Sequence, residues 1–69
     1  MGDPRLGSRL KEARTAAGLT QQGLADKASV SRKTINTVEN GVFTPSVVVA
    51  LSLARALGTT VEALFGLDD

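Results

Sequence analysis

The residues from Ser31 to Asn40 carry the clearest chemistry in this chain. Wound as a helix, they place Arg32, Lys33, Asn36, Thr37 and Asn40 on the side away from Ile35 and Val38. Long cationic and amide side chains on one exposed helical face suit hydrogen bonding to base edges in a major groove. A helix that is merely solvated more often interleaves acids, and residues 31–37 contain none. Upstream, Thr20 and Gln21 stand at the expected start of another helix. Free backbone N–H groups and amide donors at such a position suit a phosphate, although capping the helix is certainly part of the role of Thr20. Catalytic chemistry is poorly served. With no His and no Cys, Ser–His and Cys–His mechanisms are excluded, as are disulfides and the usual zinc cages.

The elements that must position these residues read as five short helices. The first is expected from about Pro4 to Ala17, capped by Asp3, with Leu6, Leu10, Ala13 and Ala17 on one face and Gly18 as its stop. The second follows the cap Thr20 and runs from Gln21 to Ala28, with Leu24, Ala25 and Ala28 inward. Ser31 caps the third, which runs from Arg32 to Asn40 and stops at Gly41. Ser46 caps the fourth, Val47 to Leu57, and Thr60 the fifth, Val61 to about Phe65, ended by Gly66. No alternating apolar pattern marks a strand. Only Ser29, Val30 and Ser31 separate the second and third segments, so two short helices must cross steeply, with Val30 in the corner. That is helix-turn-helix geometry.

At 69 residues the chain is one domain with a thin core. A catalytic pocket would consume most of that core, so an autonomous enzyme is not expected. No apolar run approaches membrane-spanning length, and the N-terminus lacks an apolar signal region, so the chain reads as cytoplasmic. The net charge of +1 conceals an asymmetry: residues 1–33 hold seven Lys/Arg against three Asp/Glu, and residues 34–69 hold one Arg against four acids. A basic half attracts phosphate.

The stretch LTQQGLADKASVSRKTINTVENG, residues 19–41, resembles the helix-turn-helix of the phage repressor and Cro family, also called the Xre family. Arg14, Glu39-Asn40-Gly41, Pro45-Ser46, Ala54, Leu57 and Gly58 extend the likeness over roughly residues 6–65. The resemblance implies an all-α, five-helix, lambda-repressor-like domain covering residues 1–69, with its helix-turn-helix core at about 20–40. It implies base reading by Ser31, Arg32, Lys33 and Thr37: Arg32 bidentate to guanine, Lys33 to guanine or phosphate, Thr37 against a thymine methyl. Asn36 and Asn40 more naturally serve the DNA backbone, together with Thr20, Gln21 and Arg9. It further implies a partly buried structural ion pair of Arg14 with Glu39. Three departures stand out. Gly23 interrupts the second helix, at about 1 kcal/mol, and Ser29 replaces a common turn Gly, at a similar cost if its backbone is left-handed. The loop Val42-Phe43-Thr44 lacks the basic residues many relatives place there, and Phe43 is expected to pack under it.

In the fourth helix only Ser52 and Arg55 are polar. Val47, Leu51, Ala54 and Leu57 make one stripe, read as inward, and Val49, Leu53 and Ala56 make a second. A helix apolar nearly all round is buried all round. The second stripe, with Leu64, Phe65 and Leu67, is therefore expected in a two-fold interface built from about residues 46–66. The expected function is sequence-specific binding of double-stranded DNA by a homodimeric transcriptional regulator, a repressor by expectation, on an inverted-repeat operator. No cofactor, metal, membrane or small-molecule partner is expected. The alternatives are a protein-interaction module of the antitoxin type and the N-terminal DNA-binding domain of a longer regulator.

Overall fold

A computed structural model describes residues 2–68. The elements run β1 (Leu6–Ser8), α1 (Leu10–Ala16), α2 (Gln21–Ala28), α3 (Arg32–Glu39), α4 (Val47–Leu57), α5 (Val61–Leu64) and β2 (Phe65–Leu67). The fold is thus five helices with a small two-stranded sheet joining the two ends of the chain.

Four helices begin with the same device. The hydroxyls of Thr20, Ser31, Ser46 and Thr60 accept the N–H of Gly23, Thr34, Val49 and Ala63 at 2.9–3.1 Å. Each satisfies one of the donors that a helix start leaves unpaired, typically worth about 1 kcal/mol. The core is a single cluster centred on Leu10, Leu24, Ile35, Val38, Leu53 and Leu64, all fully buried. Among the described residues no helix is long and apolar enough to cross a membrane.

The N-terminal segment differs from its expected helix. The Asp3 carboxylate accepts the Arg5 N–H at 2.9 Å and the Asp3 carbonyl accepts the Leu6 N–H at 3.0 Å, so a turn forms where a helix was expected to start. Residues 6–8 then pair antiparallel with residues 65–67, Leu6 opposite Leu67 and Ser8 opposite Phe65. The ladder continues past both ends through Arg9 N–H to Leu64 O at 2.7 Å and Asp68 N–H to Arg5 O at 2.6 Å. Long-range pairing overrides a weak local helical preference that Gly7 already lowers. For the same reason the fifth helix ends at Leu64 rather than Phe65, and Gly66 lies within β2.

The rotation of α4 also differs. Ala50, Leu53 and Ala54 face the core, whereas Val47 and Leu51 point to solvent at 75% and 56% exposure. Leu53, Leu64 and Phe65 are buried within the single chain and are not available to a partner. Val49 and Ala56 are half-buried against the core, and of the expected interface residues only Leu67 is exposed. In a helix with apolar residues on every side, spacing does not determine which stripe turns inward.

The α2–α3 turn contains the one non-glycine residue with left-handed backbone among the described residues, Ser29 at φ 59°. Its N–H bonds Asp26 O, and the Val30 N–H reaches Ala25 O at 3.0 Å, the paired bonds of a Schellman cap. A Cβ in this region costs about 1–2 kcal/mol, against about 0.5–1 kcal/mol of extra chain entropy for glycine. Ser29→Gly is therefore expected to stabilise the fold by roughly 0.5–1 kcal/mol, raising the melting temperature by about 2–8 °C. A thermal melt that shows no rise would mean that the turn carries no such strain.

Candidate nucleic-acid interface

The Ser29-Val30-Ser31 turn sets α3 across α2, with Val30 half-buried against the core at the corner. Ile35 and Val38 anchor the inner side of α3, so rotation about its own axis is fixed. Arg32, Lys33, Asn36 and Asn40 are exposed on the other side, and Thr37 is half-buried. Neither Arg32 nor Lys33 meets a carboxylate among the described residues. The positive charge at the start of α3 is left available.

The other residues assigned to this face are partly engaged. The Ser31 hydroxyl caps α3 and lies 2.8 Å from Thr34 Oγ1. Thr37 Oγ1 donates back to the carbonyls of Lys33 and Thr34 at 2.9 and 3.1 Å, which leaves its methyl as the group it can offer. Asn40 Nδ2 donates to Asn36 Oδ1 at 2.7 Å, so the two amides hold each other one turn apart. At the start of α2 the Thr20 hydroxyl is the cap, while the N–H groups of Gln21 and Gln22 have no partner within the helix.

Two residues assigned to phosphate also make contacts within the fold. Arg9 donates Nε to Ala63 O at 3.0 Å and Nη2 to Glu62 O at 2.9 Å, satisfying carbonyls of α5 and tying it to the start of α1. The Gln21 amide donates to Glu39 Oε1 at 3.2 Å. Its side chain is thus drawn toward the fold, with one of the two Nε2 hydrogens engaged there. Neither contact had a signal in the chain, because each partner lies many residues away.

Glu39 sits at the centre of a network. Arg14 Nε donates to its Oε2 at 2.6 Å and Nη2 to its Oε1 at 3.1 Å, and Arg14 Nη1 donates to Leu19 O at 2.9 Å. The side chains are 11% and 2% exposed. The hydrogen bond that Arg14 donates to Glu39 raises the Arg14 pKa above its already high value, against the penalty of burial, so the guanidinium stays charged wherever the protein is folded. Loop Val42–Thr44 also departs from expectation. Phe43 does not pack beneath it but stands exposed beside α3. A helix held by a buried ion pair on one side, with unpaired cations on the other, is what a helix-turn-helix reader presents.

Comparison with known proteins agrees. The helix-turn-helix family matches residues 10–64. An HTH-type transcriptional regulator of Methanothermobacter thermautotrophicus is 43% identical over 61 residues, covering 87% of this chain and 88% of that protein. The immunity repressor protein of Bacillus phage phi105 is 38% identical over 61 residues, but the match spans only 42% of its length. Among solved structures, the restriction-modification controller protein C.AhdI from Aeromonas hydrophila superposes with a TM-score of 0.75 at 41% identity, over 78% of this chain and 82% of that one. This chain belongs to the helix-turn-helix family that includes phage repressors, a family of transcriptional regulators and not of enzymes.

Proposed function

We propose that this chain binds double-stranded DNA sequence-specifically through α3 and regulates transcription as a homodimer on an inverted-repeat operator, most simply by repression. The observation that carries the reading is the outer face of α3, where Arg32 and Lys33 are exposed and, among the described residues, unpaired, and residues 31–37 contain no acid. Arg32 suits bidentate pairing with guanine, Lys33 suits guanine or phosphate, and the Thr37 methyl suits thymine. Phosphates are met by the backbone at the start of α2 and by the donors that the Asn40–Asn36 hydrogen bond leaves over, Asn36 Nδ2 and the second N–H of Asn40 Nδ2. Residues 1–69 act as one DNA-binding unit, and such a regulator works where the genome is, in the cytoplasm.

The case for a homodimer rests on α4. Val47, Val48 and Leu51 are 75%, 73% and 56% exposed on one side of it. They adjoin an apolar groove of about 250 Å³ that Leu6, Val61 and Phe65 also line, and Leu67 is the cross-strand neighbour of Leu6. A contiguous apolar face of this kind on a small chain is characteristic of an interface. The two-fold face is therefore the outer side of α4 with Leu67, in place of the Leu53 side. One turn of DNA, about 34 Å, would then separate the two α3 helices.

Arg32→Ala is expected to cost about 1–3 kcal/mol on an operator selected from random duplexes and to relax preference at one base pair per half-site. Equal weakening on selected and random DNA would reassign Arg32 to phosphate. For assembly, sedimentation equilibrium at tens of micromolar is expected to give twice the 7.1 kDa chain mass for the wild type and the single mass for Leu51→Asp. A wild type that sediments at the single mass contradicts the dimer.

A further inference from the structure

The chain has two phenylalanines, and they are used differently. Phe65 is buried, whereas Phe43 is 41% exposed and its neighbour Val42 is exposed too. Large apolar side chains are ordinarily found inside. The loop that carries them is well held. The N–H groups of Val42 and Phe43 both donate to Thr37 O, at 2.9 and 3.3 Å, and the Gly41 N–H donates to Val38 O at 3.2 Å. On the far side the Asp3 N–H donates to the Thr44 hydroxyl at 2.8 Å. The exposed phenyl ring is thus presented by a fixed backbone.

Val42 and Phe43 line a groove together with Lys33, Thr34 and Thr37. The apolar loop is therefore continuous with the polar side of α3. From Asn40 to Ser46 there is no charged residue, so this loop offers a duplex apolar surface rather than a cation. The thymine C5-methyl is the apolar group that base edges present in the major groove. A second copy of the chain suits the groove poorly, since a two-fold contact there would turn Lys33 and Arg32 toward their own copies.

We propose that Phe43 is a specificity-determining residue that packs on a thymine methyl at the edge of the half-site read by α3. The proposal rests on the reading of α3 as the recognition helix. It also gives the uncharged loop a role: recognition of methyl groups in place of phosphate clamping.

The test uses the full chain and an operator selected from random duplexes. Each thymine is replaced in turn by deoxyuridine, which removes the methyl and leaves the pairing edge unchanged. Wild type is expected to lose about threefold to tenfold in affinity at one thymine per half-site on the flank nearest the loop. Phe43→Ala is expected to bind the thymine and deoxyuridine operators equally at that position while keeping its preferences elsewhere. A Thr37→Ser variant serves as control, because Thr37 also offers a methyl to the groove; it should retain the Phe43-dependent sensitivity. The proposal is overturned if the sensitivity follows Thr37, if it persists in Phe43→Ala, or if the selected half-site shows no thymine dependence on that flank. A wild type that selects no duplex at all overturns the DNA-reading function itself, which separates the two failures.

Discussion

The arrangement depends on one buried ion pair. Arg14 comes from α1 and Glu39 from the last position of α3, and the same guanidinium reaches the carbonyl of Leu19 between α1 and α2. Gln21, the first residue of α2, donates its amide to Glu39 Oε1, which Arg14 Nη2 also reaches. Three helices therefore converge on one carboxylate. Burying a charge is costly unless it is paired and hydrogen-bonded. Here it is both, and no buried side-chain nitrogen or oxygen lacks a partner among the described residues. An eight-residue helix such as α3 is marginal by itself, so its conformation and direction must come from what it packs against.

The division of charge on α3 follows from this. Its one acid is turned inward and neutralised by Arg14, and its two cations are turned outward without a carboxylate partner among the described residues. Ile35 and Val38 lock the rotation that keeps these sides apart. A polyanion approaching α3 meets positive charge undiminished by Glu39. The flanking loop extends the face in a different chemical direction, with Val42 and Phe43 in place of further cations. The apolar groove along α4 is lined by other residues, among them Val47, Leu51 and Val61.

Much of this was legible in the chain because its signals are local. Ser or Thr before each helix, the three-residue turn and the inward spacing of Leu24, Ala25, Ile35 and Val38 specify α2 and α3 with little help from the rest of the molecule. What was not legible depends on distant partners. The β1–β2 pair joins residues near opposite ends of the chain, and neither short strand alternates in a way that marks it. The fold contacts of Arg9 and Gln21 are hidden in the sequence because their partners, the α5 carbonyls and Glu39, lie elsewhere. The rotation of α4 was hidden because Val47, Leu51 and Leu53 are equally apolar. There the decision belongs to the volume left by the other helices, which favours Ala50, Leu53 and Ala54.

The Arg14–Glu39 pair couples α1 to α3. The most direct test is a double-mutant cycle with Arg14→Ala, Glu39→Ala and the double variant, read as unfolding free energies from urea titrations at low protein concentration. Each single variant leaves the opposite charge buried without its partner, whereas the double variant does not. A coupling of roughly 2–3 kcal/mol is expected, with the double variant no less stable than the less stable single one. A coupling below about 0.5 kcal/mol, the level of an exposed surface pair, would contradict it.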